Sequence, residues 1–134
     1  MGEPFLLNLD EIQPSQLYLN EAKLASVEDS PCPRAPLPVK RLRDKVVLTD
    51  GHTRAFVAWR AGQSEIEVHW DVDELDWEAY EICVDWCEAE GIRTVADLAR
   101  RVVPPQEYAA VWLERCALMQ RRLAAERADK QRRA

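Results

Sequence analysis

Long apolar runs are missing from this sequence of 134 residues. Its uninterrupted apolar stretches span only a few positions, against the roughly 20 that a bilayer-crossing helix needs. No basic start leads into an apolar segment of the kind a secretory signal carries, so the expectation is a cytoplasmic chain without membrane contact. Repeats at solenoid periods are missing as well, and the length excludes two ordinary domains. Cysteine is sparse and irregularly spaced: Cys32, Cys83, Cys87 and Cys116 read as reduced thiols, packed rather than bridged. Basic residues are absent from 64–90, a stretch that holds eleven Asp or Glu.

Apolar residues make up 47% of the chain and charged residues 31%, the balance of a folded soluble protein. Eighteen Lys and Arg against 24 Asp and Glu leave a net charge of −6, which disfavours phosphate polymers such as nucleic acid. Residues 115–134 nevertheless carry +5, so residues 1–114 carry −11. Body and tail attract one another, or attract complementary surfaces: a basic protein partner, or a second copy in a homo-dimer. Two separately solvated faces are the plainer alternative.

The first half alternates short apolar runs with turn signals. Residues 5–9 predict a strand, Asn20 an N-cap for a helix through about Val27, and the Pro-rich segment 30–38 a connection without helix. Residues 38–42 and 46–49 predict a hairpin around Arg43-Asp44-Lys45. A helix over 55–61 then stops at Gly62, and the alternation in 65–70 predicts a half-buried strand. The second half is helical. Trp77, Tyr80, Val84 and Cys87 form one stripe from an Asp76 cap to Gly91, and Thr94 with Asp97 resembles a capping box. Pro105 starts a last helix with Tyr108, Val111, Trp112, Met119 and Leu123 on its apolar side; beyond Leu123 the last turns are expected to fray.

One segment points to chemistry: Val46 to Leu48 lead into Thr49-Asp50-Gly51-His52-Thr53-Arg54 and then an apolar helix. A strand that passes through a glycine turn into a helix N-terminus aims unpaired N–H groups and a positive dipole end at one point, where anions bind. Gly51 permits close approach of a ligand, Arg54 can fork two phosphate oxygens, and His52 and Thr53 add donors. Asp50, a carboxylate beside a phosphate site, fits if it holds Mg²⁺ or accepts a proton from a hydroxyl substrate. The alternative is that Asp50 simply caps the helix and Arg54 is a surface residue.

This stretch resembles the phosphate-binding box of the ParB/sulfiredoxin-like superfamily, in particular the Asp-Gly-His-His-Arg box of its ADP-dependent free-serine kinases. Residues 12–27 are similar to the sulfiredoxin run in which a proline precedes a helix with a nucleotide-contacting Lys and Ser; here these are Lys23 and Ser26. The likeness covers residues 5 to about 72. It implies a small mixed β-sheet that binds ATP, ADP or CTP with Mg²⁺, Gly51, His52, Thr53, Arg54, Lys23 and Ser26 contacting the nucleotide and Asp50 acting as metal ligand or base. The chain also departs from that pattern. The reactive cysteine of sulfiredoxin is replaced by His52, the catalytic Glu of the kinases by Gln16, their second histidine by Thr53, and an Arg frequent before the first proline by Gln13. An amide cannot serve as a base.

Other constellations carry less. Cys83 and Cys87 sit at i, i+4 without a completing ligand set and read as core. The run 71–76 lacks the glycine and terminal Glu of a calcium loop and reads as solvated, His69 as a rim residue. Trp86, off the stripe, is expected to cover a partner or pack against the box domain. The expectation is thus an α+β protein, with a nucleotide-binding part over 1–75 and a helical extension over 76–134. The expected function is nucleotide binding, with a phosphotransfer or hydrolysis step left open and Gln16 favouring binding without efficient turnover, the alternative being a catalytically silent interaction module that uses the acidic helix 76–90.

Overall fold

A computed structural model describes residues 2–29 and 35–134. Residues 30–34, with Cys32 and most of the Pro-rich connection, lie outside the described residues. The fold is α+β. Strands β1 (Phe5–Asn8), β2 (Ile12–Gln13), β4 (Leu37–Leu42), β5 (Lys45–Leu48) and β6 (Glu65–Trp70) form one mixed sheet in the order β1-β6-β4-β5-β2. The β1–β6 and β4–β5 pairs are antiparallel, whereas β4–β6 and β2–β5 are parallel. Two further short strands, β3 (Leu19–Asn20) and β7 (Val102–Val103), pair in parallel away from the sheet.

Local chemistry accounts for the helices. Helix α1 (Glu21–Glu28) starts where the Asn20 side chain accepts the N–H groups of Ala22 and Lys23. Helix α2 (His52–Arg60) follows Gly51 and ends before Gly62, whose φ of 92° suits the residue after a helix stop. Helix α3 (Trp77–Ala89) is capped by Asp76, whose carboxylate accepts the N–H of Ala79. At Thr94 the expected turn is a 3₁₀ segment, Val95–Arg100, with the Asp97 carboxylate accepting the N–H groups of Arg93 and Thr94. Helix α4 (Pro105–Tyr108) has proline in its first turn. It continues through a widened π turn, Ala109–Leu113, that seats Trp112 in the core, and then into α5 (Glu114–Arg133).

The segments before and after residue 75 share one core. Leu9, Ile12, Leu17, Leu48, Phe56 and Val68 pack in the same cluster as Cys87, Leu98, Trp112 and Leu123. Each fully buried Leu, Ile, Val or Phe side chain contributes about 1.5–3 kcal/mol. A smaller cluster, Leu42, Val47 and Val84 with Trp77 and Tyr80 against it, seats α3 on the β4–β5 hairpin. Within the chain the Trp86 ring packs edge-on against Trp112 with centroids 6.1 Å apart, under the Arg115 guanidinium at 4.2 Å.

The last turns differ from the expectation of fraying. Helix α5 runs to Arg133, and Arg127 reaches back to donate to Asp76 at 2.9 and 3.0 Å and to Glu78 at 2.8 Å. A forked guanidinium across two carboxylates is a strong geometry even at a surface. The basic tail therefore folds onto the acidic body of its own chain.

Candidate functional site

The site forms where β5 hands over to α2. Thr49 and Asp50 follow the buried end of β5, and Gly51 turns the chain with φ 79°. That left-handed angle is cheap only for glycine. A Cβ placed there would also lie 2.6 Å from Leu37 Cδ2 and 3.3 Å from an Arg54 guanidinium nitrogen. Gly51 supplies no side-chain cap, and the first backbone bond of α2 is Ala55 N–H to Gly51 C=O at 3.0 Å. Among the described residues the N–H groups of His52, Thr53 and Arg54 have no acceptor. Three consecutive donors thus converge at the positive end of the helix.

Charge is arranged around these donors by two helices. Lys23, exposed on α1, is close enough to His52 for its charge to act on the imidazole. Arg54, exposed on the first turn of α2, donates through Nη1 to Ala35 C=O at 3.2 Å, which sets its guanidinium over Gly51. Asp50 is exposed, and its Oδ1 accepts the Gly51 N–H at 2.8 Å. It stands at the mouth of the turn rather than capping the helix. Ser26 and Arg54 line a cavity of about 650 Å³ walled by Leu37, Val57 and Ile66. Asp50, Gly51, His52, Thr53 and Lys23 are not on its walls, so the sequence-predicted residues divide between the turn and the adjoining hollow.

Two of them are turned inward. The side chains of His52 and Thr53 belong to residues only 4% and 3% exposed. His52 Nε2 accepts the backbone N–H of Ser15 at 2.9 Å, so this nitrogen is unprotonated and is not a donor toward an anion. Burial first, and the Lys23 charge after it, hold the imidazole down at about 4 against the partial opposition of Asp50. The contribution of His52 and Thr53 to the turn is their backbone.

The sequence reading passed over a set of side chains that hold this turn. Ser15 Oγ donates to Leu48 C=O at 2.7 Å. Thr49 Oγ1 donates to Asp71 Oδ2 at 2.7 Å, and Tyr80 Oη donates to Thr49 C=O at 3.1 Å. Asp71, read as part of a solvated loop, is in fact buried, its other oxygen accepting the Asp73 N–H. Burial, with the Asp50 and Asp71 charges, raises the Tyr80 hydroxyl above its ordinary range. The signal available was polar residues at the ends of two apolar strands. Gln16 points elsewhere, donating to Tyr18 C=O at 2.7 Å and Tyr108 Oη at 3.1 Å. Gln13 is buried and ties Ile92 C=O at 2.8 Å to the sheet. His69 Nδ1 lies 3.2 Å from the Trp70 carbonyl, outside the turn.

The acidic helix is largely neutralised within the chain. Asp76 and Glu78 pair with Arg127, Asp85 with Arg43, Glu88 with Lys45 and Arg93, and Glu90 with Arg101 and Arg115. Hydrogen bonds from Arg127 and Arg43 hold Asp76 and Asp85 below the usual carboxylate range. Burial pushes Glu90 up, and its two arginines more than reverse this. Cys83 and Cys87 are buried in the core, as their spacing suggested. Among the described residues no group of three or more His, Cys, Asp or Glu is placed to hold a metal ion. No helix among them is long and apolar enough to cross a membrane.

No protein-family model matches the sequence, and a search of curated proteins finds no match. Among solved structures the chain is similar to protein Atu1540 from Agrobacterium tumefaciens, with a TM-score of 0.51 at 13% identity over 72% of this chain. It spans 61% of that protein's length. A conserved hypothetical protein from Pyrococcus furiosus matches with a TM-score of 0.41 at 20% identity, over 55% of this chain and 34% of its own. The first likeness is one of fold, within the α+β class.

Proposed function

We propose that the chain binds a nucleotide, the phosphates of ATP, ADP or CTP seated with Mg²⁺ on the turn from Asp50 to Arg54. The observation that carries this reading is the row of three unaccepted N–H groups at the start of α2, with Arg54 and Lys23 beside it. A helix N-terminus whose preceding glycine gives no cap offers backbone donors that an anion accepts without reorganisation. Arg54 adds a forked, charged contact and Lys23 a point charge. Mg²⁺ asks for only one or two protein carboxylates when phosphates complete its shell, and Asp50 is the exposed carboxylate at the turn. The hollow beside Ser26 and Arg54 is large enough for the rest of such a ligand.

Binding without efficient phosphoryl transfer fits these residues better than catalysis does. Gln16, an amide, is held by Tyr18 and Tyr108, and Asp71 is engaged by Thr49. Asp50 remains as the carboxylate available as a base or metal ligand for hydrolysis or transfer to a hydroxyl acceptor. A basic partner on the acidic helix is the less supported role, because that surface already pairs with the chain's own arginines.

Calorimetric titration of the full chain with Mg²⁺ and each nucleotide, wild type beside Arg54→Ala, tests the reading. Submillimolar binding of at least one nucleotide, weakened about tenfold or more by the substitution, is expected; a tenfold loss is about 1.4 kcal/mol, the size of one charge-assisted contact. Heat indistinguishable from dilution for every nucleotide overturns it. If binding is seen, nucleotide consumption with and without serine separates enzyme from binder.

A further inference from the structure

The two ends of the mixed sheet differ. At the β2 end Ile12 and Gln13 are buried, whereas β1 is the last strand on its side and has no neighbour beyond it among the described residues. Leu9 N–H donates to Ser64 C=O at 2.8 Å, and the same register sets Leu7 against Ile66 and Phe5 against Val68. By antiparallel alternation these are the hydrogen-bonded pairs, and Leu6 and Asn8 fall between them. The N–H groups of both, and the Leu6 C=O, therefore point away from β6 into the open edge. Nothing in Phe5–Asn8 guards it: the strand carries no Lys, no Pro and no bulge, and Leu6 is 59% exposed.

Charge around this edge has one sign. Leu6 lies opposite Glu67, and Asn8 opposite Glu65, on one face of the sheet, and both glutamates are exposed. Glu3 precedes the strand and Asp10 and Glu11 follow it, exposed as well. Unlike the carboxylates of α3, none of these five has an ion-pair partner among the described residues. On the other face Phe5 and Leu7 are partly buried against the core cluster. We propose that the β1 edge is a docking site for an extended segment of another protein in which basic residues alternate with apolar ones. Bound as an added strand, that segment takes up the Leu6 and Asn8 N–H groups and the Leu6 C=O. Its side chains face alternate sides, so the apolar ones lie beside Phe5 and Leu7 and the basic ones beside Leu6. Two strand spacings, about 9–10 Å, separate the added backbone from β6. A Lys or Arg stem covers Leu6 over that distance and brings its charge to Glu65 or Glu67. A second copy of this chain fits less well, because two β1 strands side by side set the carboxylates of Glu3, Asp10 and Glu11 against their own counterparts.

The test follows backbone amide exchange of the full chain, alone and with a blocked peptide of about seven alternating lysine and valine residues. In the free chain the amides of Leu6 and Asn8 are expected to exchange fast and those of Leu7 and Leu9 slowly. Saturating peptide is expected to slow Leu6 and Asn8 selectively. A peptide with proline in place of valine keeps the charge but cannot pair as a strand, and is expected to leave them fast. Leu6→Pro removes an outward donor and no ladder bond. That variant and the Glu65→Gln, Glu67→Gln pair are each expected to weaken binding about tenfold or more, and the pair leaves the strand backbone untouched should the proline disturb it. Equal slowing by both peptides, or unchanged exchange at millimolar peptide, overturns the proposal. So do peptide-induced changes confined to α3 or to the turn from Asp50 to Arg54, and protection of Leu6 and Asn8 that grows with protein concentration alone.

Discussion

His52 Nε2 accepts the backbone N–H of Ser15 at 2.9 Å, which ties the loop after β2 to the first residue of α2. The bond requires a neutral imidazole, and the surrounding core enforces one. The side chain that the sequence offered as a phosphate donor thus builds the floor of the turn, while its own backbone N–H has no acceptor among the described residues.

Stability is expected to fall as pH drops from 6.5 toward 4, because His52 holds about 4 when folded and returns to 6.5 when unfolded. In that window the unfolded chain binds the extra proton, so unfolding gains as pH falls. Above 6.5 the contribution is fully present, and over the whole window about 3 kcal/mol is lost. Denaturant melts of wild type and His52→Gln at pH 7.0 and 5.0 measure it. The wild type is expected to lose more between the two than the variant; equal losses count against a buried neutral imidazole.

Gly51→Ala is expected to destabilise the fold by about 2 kcal/mol, from the positive φ and the encounter with Leu37 Cδ2. Gly62→Ala faces a positive φ but nothing within 4 Å, and is expected to cost about 1 kcal/mol. Thermal or urea unfolding of the two variants side by side checks the order. The reverse order, or no difference, removes the steric argument at Gly51.

Arg127→Ala is expected to loosen the end of α5 without unfolding the protein. Arg127 fixes the solvent-facing half of that helix to Asp76 and Glu78, and past Leu123 no large apolar side chain remains to hold it. Hydrogen exchange is expected to speed up over residues 124–133 and to stay unchanged over α2 and the sheet. The same acceleration is expected for the wild type in high salt, since exposed pairs are screened. Uniform exchange rates in both proteins contradict this.

Much of the fold was legible in the sequence, because each of the longer elements carries its own local signal. Asn20, Asp76, Pro105, Gly62 and the alternation of 65–70 fix element ends and types by chemistry that acts over a few residues. The pairing of β3 with β7, over 80 residues along the chain, and the inward turn of Asp71 depend on tertiary neighbours and leave no such mark. The persistence of α5 past Leu123 was missed for the same reason: Arg127 gains its partners from a helix that begins 50 residues earlier. At the site, spacing located the glycine turn and Arg54. It did not tell which side chains face inward, since helical phase at the first residue of α2 is set by the Ser15 loop.

The proposed nucleotide binding rests on a polyanion held by backbone donors at the start of α2. Titrating isotope-labelled protein with Mg²⁺ and ATP, ADP or CTP while following backbone amide resonances reads those donors one by one. Saturable shifts are expected, largest at the amides of His52, Thr53 and Arg54, with a midpoint at about tenfold or more higher nucleotide in Arg54→Ala. Shifts confined to other residues, or none at millimolar nucleotide, contradict it.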